Sequence, residues 1–491
     1  MKKKYILTMA LFSLSAFLTY AQNEIDVYRY SNIQPEGSAR FDAMAGSFGA
    51  LGIEGASGSI NPAGYGRASQ SILSASFNGF QTKTLSHFKG EETAFQNFNV
   101  RMPNLSATFV KDVSAKGKGL LYTQYSFGLN RIANFNQSFN YKGQQFESLL
   151  DVFANTVTGI DSNELYNYAA YTSSLAYQTY AIDPDVNNNY YPRLNAGDML
   201  HNRVVLNSGG INEWYFAFSG NYIDKIYFGA SFSYNTLNFA ESIVHKETLT
   251  DTTGVSLRSF NYQYSYKTKG AGMNVKLGAI YLPNDYIRLG LAIHTPTFYN
   301  LTDEYTANMQ AVHYDGVYSV DPSFVPNDKF KYRIWTPTRV VGSTAFIIRE
   351  YGCINLDFEY VNYKWGQLKQ SKEQAYATYT YANENAAVKA TLVDALNIRI
   401  GTEWNIREVF YLRAGYGFYP KGSRTDRAYG PKYSQLISGG FGFRINRVFI
   451  DLACKYYSTS SVYYAFQESS ANIQTSRLSF NLGLRYKLDY R

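Results

Sequence analysis

The side chains that most often carry out catalysis or bind metals are few in this sequence and widely spaced. The histidines are His87, His201, His245, His294 and His313. They do not follow the spacing of a ligand pair such as H-x-x-x-H, and the sequence has no G-x-S-x-G nucleophile motif. The two cysteines, Cys353 and Cys454, are expected to point to opposite faces of separate strands, which disfavours a disulfide. The sequence therefore predicts no enzyme activity, no metal site and no cofactor.

Five arginines share a different property, because each falls on the polar side of a segment in which polar and apolar residues alternate. They are Arg288, Arg399, Arg413, Arg444 and Arg485. Such arginines could attract the carboxylate head of a ligand. They could equally form ion pairs with nearby acidic residues and support the structure alone. The acidic candidates are Asp357, Glu359, Glu403 and Asp451.

Alternation with a period of two dominates the chain from residue 70 onwards. In the segment 478–488 every second residue is Leu, Phe or Tyr, and the residues between them are Ser, Asn, Gly, Arg and Lys. This pattern indicates β-strands with one apolar face and one polar face. About fourteen such segments occur, an even number that suits a closed antiparallel barrel.

The composition favours a barrel in a membrane over a soluble sandwich. The 491 residues include 46 Tyr and 33 Phe, and only 17% are charged, whereas soluble domains carry about 25% charged residues. Tight turns are expected to alternate with long connections, which include 81–96, 135–209 and 242–255. The predicted fold class is all-β, a transmembrane antiparallel β-barrel of about fourteen strands.

The first 21 residues have the pattern of a secretory signal peptide. Three lysines precede an apolar stretch and a small-x-small cleavage site at Thr19-Tyr20-Ala21. We therefore expect an exported protein in the outer membrane of a Gram-negative bacterium. The net charge of +8 includes the signal lysines, so no nucleic-acid partner is predicted.

The predicted N-terminal unit, residues 22–68, contains the stretch Gly37–Gly64, which is rich in Gly, Ala and Ser and has no long apolar run. Small side chains bury too little area to fold alone, but they allow a backbone to pack closely against a surrounding wall. We expect this segment to form a plug inside the barrel, and residues 69–491 to form the barrel itself.

Three prolines interrupt the predicted strands. Pro103 falls in the second strand, beside the third, and Pro296 and Pro337 fall on the neighbouring seventh and eighth strands. Because proline cannot donate a ladder hydrogen bond, it marks an edge or a bulge. The prolines therefore indicate either bulges or a gap in the wall.

The connection 135–209 is too long to lack structure. Five apolar residues share one helical face here, namely Phe146, Leu149, Leu150, Phe153 and Val157. A second helix is expected to begin at Asp161, with Glu164 completing a capping box. The apolar face either packs onto the loop and the barrel rim or forms an external groove that captures ligands.

The segment from Gly37 to Gly64, which ends in Asn61-Pro62-Ala63-Gly64, resembles the plug of the long-chain fatty acid transport (FadL) family. The resemblance extends to the barrel and the helical external loop. It implies that Asn61, Pro62 and Ala63 belong to a hatch that contacts the inner wall. It also implies that ligands leave sideways at a kink in the third strand, with which Pro103 is compatible.

The resemblance implies an outer-membrane channel for passive uptake of hydrophobic or amphipathic compounds such as long-chain fatty acids. The expected partners are membrane lipid and a small ligand, and a monomer is expected. The alternative is a general or haem-related outer-membrane porin or receptor without lateral transport. A general porin would lack the Gly37–Gly64 plug.

Overall fold

The computed structural model describes residues 23–116, 119–194, 199–373, 379–424, 433–466 and 469–488. The predicted signal peptide lies outside these ranges. The wall is a closed antiparallel barrel of fourteen strands, as predicted. It closes where the first strand pairs with the last, along Ile72–His87 and Asn472–Lys487.

Most wall strands are continuous, and four of them consist of two consecutive pieces. The continuous strands are β1 (Ile72–Phe88), β2 (Glu91–Asp112), β7 (Met199–Tyr222), β8 (Ile226–Leu249), β9 (Leu257–Tyr281), β17 (Asp394–Ile406), β18 (Phe410–Pro420), β19 (Tyr433–Ile445), β20 (Val448–Phe466) and β21 (Ser469–Lys487). The divided strands are β3 with β4 (Leu120–Asn134, Gln137–Gln145), β10 with β11 (Ile287–His294, Phe298–His313), β13 with β14 (Asn327–Trp335, Arg339–Ile348) and β15 with β16 (Gly352–Asn362, Gln367–Gln370).

Three short strands and several helices lie in the connections. The strands are β5 (Ile182–Pro184), β6 (Tyr190–Pro192) and β12 (Gly316–Ser319). The helices are α1 (Glu24–Ser31), α2 (Ala39–Ala43), α3 (Leu149–Thr156), α4 (Leu165–Ala169), α5 (Ser173–Gln178) and α6 (Ala382–Thr391). Among the described residues, no helix is both long enough and apolar enough to span a bilayer.

The two faces of the wall follow the alternation in the sequence. On β21, Leu482 is 42% exposed on the outer face, whereas the neighbouring Asn481 is 2% exposed on the inner face. Exposed apolar side chains form an outer band that crosses β7 at 214–222, β8 at 226–234 and β9 at 273–281. Such a band is the surface that faces lipid in a transmembrane barrel.

Two predicted loops are wrong, because the strands continue through them. β1 and β2 remain paired until the turn at Lys89 and Gly90, where the prediction placed a loop over 81–96. In the predicted loop 242–255, β8 extends to Leu249. Beyond the apolar band the outer face is polar, so the alternation fades in the sequence while the backbone ladder continues.

The predicted connection 135–209 contains helices, as its length predicted, with different starting points. They lie between β4, which ends at Gln145, and β7, which begins at Met199. Ser148 and Asp151 form a capping box at the start of α3. Asp161 caps a short 3-10 turn, Ser162–Glu164, and the second helix begins only at Leu165. The Asp161–Glu164 pattern therefore marks a turn rather than the helix itself.

Candidate functional site

The N-terminal segment, residues 23–68, contacts the inner face of the wall through Asn61. The Asn61 Nδ2 group donates to Gly49 O within the segment (2.8 Å) and to Ala279 O on β9 (3.2 Å). Its Oδ1 atom accepts from the Ala63 N–H (3.0 Å) and so caps the 3-10 turn Pro62–Arg67. On β7, Ser219 donates to Pro62 O at 2.9 Å. The Asn-Pro-Ala motif thus both shapes the segment and attaches it to the wall.

Glycines in the wall make room for this motif. Gly229 on β8 and Gly278 on β9 are register partners. A Cβ atom on Gly278 would lie 1.9 Å from Asn61 Oδ1, and one on Gly229 would lie 2.5 Å from the Pro62 carbonyl. Only a residue without a side chain allows the two backbones to approach this closely.

The wall is interrupted between β2 and β3. Within the described residues, the ladder between these strands runs from Asp112 only to Asn104, which pairs with Asn130. From Glu91 to Pro103, β2 pairs with β1 alone. Pro103 is buried beside Asn104 and lies in a bulge opposite β1, as expected of a residue that cannot donate a ladder hydrogen bond.

The third strand changes direction at the same level. Its register with β7 shifts between Arg131 and Ala133, and β3 ends at Asn134 before β4 begins. On β7, Gly209 has a φ of +108°. The Arg131 guanidinium donates to Asn212 Oδ1 at 3.0 Å and also contacts the Gly209 carbonyl. These irregularities lie directly beyond the pair Asn104–Asn130, where the ladder between β2 and β3 stops.

The N-terminal segment supplies the backbone partners that β2 does not supply. The Gln34 N–H donates to Ile132 O (2.8 Å) and the Glu36 N–H donates to Arg131 O (2.7 Å). The Glu36 carboxylate pairs with Arg101 of β2 at 2.5 Å. Residues 34–36, here called the gap cover, therefore bridge the two strands from the inside.

A cavity of about 430 Å³ lies inside the barrel and borders the gap cover. Its apolar lining includes Phe135, Phe139 and Ile473. Its charged lining consists of three cations, Arg29, Lys455 and Arg477, and two carboxylates, Glu36 and Glu241. A cavity of this size and mixed lining suits a small amphipathic molecule.

Positive charge is in excess beside the gap cover. Lys455 pairs with Asp42 at 3.0 Å, but among the described residues neither Arg131 nor Arg477 pairs with a carboxylate. Arg477 instead donates to the Asn136 carbonyl at 2.8 Å. Burial would raise the pKa of Glu36, but the surrounding cations hold the pKa of this carboxyl below its ordinary value. The arrangement favours an anionic group nearby.

The five arginines selected from the sequence separate into two groups. Arg399, Arg413 and Arg485 face the predicted acidic residues: Arg399 lies 2.7 Å from Glu359, Arg413 lies 2.7 Å from Asp451, and Arg485 lies 3.9 Å from Asp451. Within the described residues, Arg288 and Arg444 have no acidic partner, and Arg444 donates to the Asn446 carbonyl at a turn. The three paired arginines support the wall and are not available to a ligand.

The other two strand prolines do not open the wall. Pro296 separates β10 from β11, and Pro337 separates β13 from β14. The neighbouring threonines bridge these breaks, because the Thr297 N–H donates to Thr336 Oγ1 (2.8 Å) and the Thr336 N–H donates to Thr297 O (3.1 Å). This pair of prolines marks a bulge.

The apolar face of α3, for which the sequence left both packing and an external capture groove open, is packed into the protein. Leu149, Leu150, Phe153 and Val157 are at most 6% exposed, in a cluster with β9 and β11 residues such as Phe260 and Met309. Phe146 is 70% exposed but precedes α3. The face is therefore a core of the external loop, because helix α3 is too short to remain stable without packing.

Sequence reasoning missed the residues around the gap cover. Glu36, Arg101, Arg131 and Arg477 come from four separate parts of the chain, and no local spacing relates them. Their proximity depends on the path of the N-terminal segment inside the barrel.

No protein-family profile matches this sequence, and no curated protein matches it significantly. Solved structures do match. The P. putida toluene transporter TodX aligns with 94% of this chain and 100% of its own, at 14% identity and a TM-score of 0.54. A Pseudomonas aeruginosa FadL homologue aligns over 93% and 99%, at 10% identity and a TM-score of 0.56.

The fold is that of the FadL-like transporters. Both neighbours are described as transporters or their homologues and not as enzymes. At these identities the similarity concerns the fold.

Proposed function

We propose that this protein is an outer-membrane channel for the passive uptake of hydrophobic or amphipathic compounds, such as long-chain fatty acids. The observation that carries the proposal is the interrupted ladder between β2 and β3, covered from inside by residues 34–36. A polar porin has no use for a side opening towards lipid, whereas an apolar ligand gains by leaving directly into the bilayer. The similarity in fold to a toluene transporter agrees with this reading.

Capture begins at the external loops in this proposal. Burying each methylene group of a ligand contributes about 0.8 kcal/mol, so exposed apolar side chains can collect a ligand without an energy source. Since the α3 face is packed, capture falls to the exposed aromatic residues of the connection. These are Phe146, Tyr166, Tyr168, Tyr180 and Tyr191.

The cavity then holds the ligand beside the gap. The apolar walls at Phe135 and Phe139 accept the hydrocarbon part. The uncompensated charge of Arg131 and Arg477 attracts a carboxylate head. Several weak sites in series allow a ligand to move on, whereas one tight site would retain it.

The N-terminal segment acts as a hatch in this mechanism, and the gap cover is its moving part. Asn61 and Pro62 remain in contact with Gly229 on β8 and Gly278 on β9. Residues 34–36 leave the edge of β3 and so open the gap. The ligand passes Pro103 sideways into the membrane. The functional unit is a monomer in the lipid of a Gram-negative outer membrane.

The proposal is tested by the uptake of labelled long-chain fatty acid and of a small sugar into proteoliposomes. Gly278→Ala places a Cβ atom 1.9 Å from Asn61 Oδ1 and should displace the segment. Overpacking of this kind costs about 1–3 kcal/mol, so we expect sugar leakage to rise about tenfold. Selective uptake of the fatty acid by the unaltered protein is also expected.

Gly342→Ala is the matched control, because a Cβ atom at this wall glycine meets nothing within 4 Å. It should behave as the unaltered protein. Sugar transport by the unaltered protein with no fatty acid uptake would overturn the proposal and favour a porin. Equal sugar leakage through Gly278→Ala and Gly342→Ala would contradict the proposal that the N-terminal segment acts as a hatch.

A further inference from the structure

Three potential metal ligands meet in the external part of the barrel. They are His201 on β7 and His245 and Glu247 on β8, and their ligand atoms all lie within 4.8 Å of one another. His201 and Glu247 are register partners across the two strands, and His245 lies two residues from Glu247 on the same face of β8. All three side chains are buried to at least 99%.

This cluster lies outside the membrane-facing band. At its level, the outer face of the wall carries Asn202, Lys246 and Asn261, which follow one another across the ladder. These residues are polar, whereas the lipid-facing band begins near residue 214 of β7. The cluster is therefore inside the external extension of the barrel, next to the long connection.

The imidazole rings of His201 and His245 have few hydrogen-bond partners. The His245 Nε2 atom lies 2.8 Å from Glu247 Oε1, and the His201 Nδ1 atom lies 3.7 Å from the same oxygen. Within the part of the chain that the structure describes, His201 has no hydrogen-bond partner at either ring nitrogen, and His245 has none at Nδ1. Buried polar groups without partners are uncommon and point to an additional ligand.

We propose that His201, His245 and Glu247 bind a divalent transition-metal ion, with Zn²⁺ the best match. Two imidazole nitrogens and a carboxylate oxygen are a ligand set that zinc takes, with a fourth position for water. Ligand atoms around tetrahedral zinc lie about 3.3 Å apart, as follows from bonds of about 2.0–2.1 Å. Two of the three separations in the cluster, 2.8 Å and 3.7 Å, are on either side of that value, and the third is within 4.8 Å.

Nearby charges act in both directions. The Glu247 carboxylate favours a cation at the cluster, since its Oε1 atom lies 2.8 Å from His245 Nε2. Arg203 is the register partner of His245 and opposes a cation. Its Nε atom is directed to the Tyr463 hydroxyl, at 3.2 Å.

Hydrogen bonds to Glu247 connect the proposed site to the external loop. Glu247 accepts a hydrogen bond from the Ser148 hydroxyl (2.5 Å) and another from the Leu149 N–H (2.8 Å). Ser148 is the N-cap of α3. An ion on Glu247 would therefore fix β7, β8 and the start of α3 together, because outer partners orient a metal-bound carboxylate.

The test uses the full-length protein, folded in detergent and stripped of metal with a chelator. Co²⁺ is added as a spectroscopic probe, and Zn²⁺ is then used to displace it. We expect visible ligand-field bands of four-coordinate Co²⁺ at one ion per chain. The bands should be lost in His245→Asn, and affinity should fall about tenfold or more in Glu247→Gln.

His87→Asn is the matched control, because His87 pairs with Glu92 at 3.3 Å in an exposed turn region. It should leave the bands unchanged. Zn²⁺ should also slow proteolysis of the connection 149–178 in the unaltered protein and not in His245→Asn. The β-sheet circular dichroism of each variant shows whether the barrel is folded.

The inference is overturned if the folded unaltered protein gives no stoichiometric Co²⁺ bands. It is equally overturned if the bands persist in both His245→Asn and Glu247→Gln. Should His245→Asn fail to fold, His201→Gln and Glu247→Gln decide the question. None of these measurements depends on ligand uptake, so they are independent of the proposed transport function.

Discussion

The wall of this barrel is interrupted twice by proline, and the two interruptions differ in what bridges them. At Pro296 and Pro337 the wall strands supply their own bridge, through Thr297 and Thr336. At Pro103 the wall strands do not supply it. The bridge comes from residues 34–36 of the N-terminal segment.

The difference shows that proline alone does not make an opening. A break bridged by side chains of the same strands can open only if the barrel deforms. A break bridged by a separate segment can open if that segment moves, while the wall remains intact. The second kind of interruption suits a side exit, and it makes the gap cover the element to test.

The largest expected effect follows from loosening the gap cover. Glu36→Gln leaves Arg101 without a charged partner, and a hydrogen bond to a charged group contributes about 1.5–3 kcal/mol. We expect the backbone amides of residues 34 and 36 to exchange hydrogen about 30-fold faster than in the unaltered protein. Hydrogen-exchange mass spectrometry or NMR measures this directly.

The second interruption provides the internal control in the same sample. The amides of Thr297 and Thr336 should keep their exchange rates in Glu36→Gln. If they accelerate equally, the variant has destabilised the whole barrel. The distinction between a movable bridge and a fixed bridge would then be lost.

A smaller effect is expected from Pro103→Ala. Alanine restores a backbone N–H and releases φ, so the ladder between β2 and β3 can extend past Asn104. One additional hydrogen bond contributes about 1 kcal/mol, which corresponds to about fivefold slower fatty acid uptake. Tracer uptake into proteoliposomes measures it.

Pro296→Ala is the corresponding change at the other interruption and should leave uptake unchanged. Equal slowing by both variants would mean that the effect is general to proline removal. Slower fatty acid uptake in Pro296→Ala alone would indicate that the proposed exit lies between the seventh and eighth strands.

Much of this architecture could be predicted from the sequence, because it depends on local patterns. Alternation at residues such as Asn481 and Leu482 indicates both the strand and the face. The Asn61-Pro62-Ala63 motif is contiguous, so it could be recognised before its contacts were known. Pro103 could be singled out because a missing N–H is a property of one residue, and its place at a ligand exit stays a prediction.

The rest depends on contacts between distant parts of the chain. Glu36 and Arg101 are 65 residues apart, and nothing near either residue indicates the other. Helical periodicity alone could not show whether Leu150 and Phe153 are buried or exposed, because a packed helix face and an open apolar groove have the same sequence pattern. His245 and Glu247 are two residues apart, a spacing that places both side chains on one face of a strand. The helical spacing H-x-x-x-H does not include such a pair.

The smallest effect is expected from Thr336→Val, which removes the hydroxyl that accepts from the Thr297 N–H. The second hydrogen bond, from the Thr336 N–H to Thr297 O, uses backbone atoms and is retained. The loss should be about 1 kcal/mol in the free energy of unfolding, measured by urea titration in lipid vesicles. Fatty acid uptake and exchange at Gln34 should not change, because the remaining bond keeps this interruption closed. Faster uptake in Thr336→Val would show that both interruptions open, and the contrast between a bridge made by the wall and a bridge made by the N-terminal segment would no longer support the proposed exit.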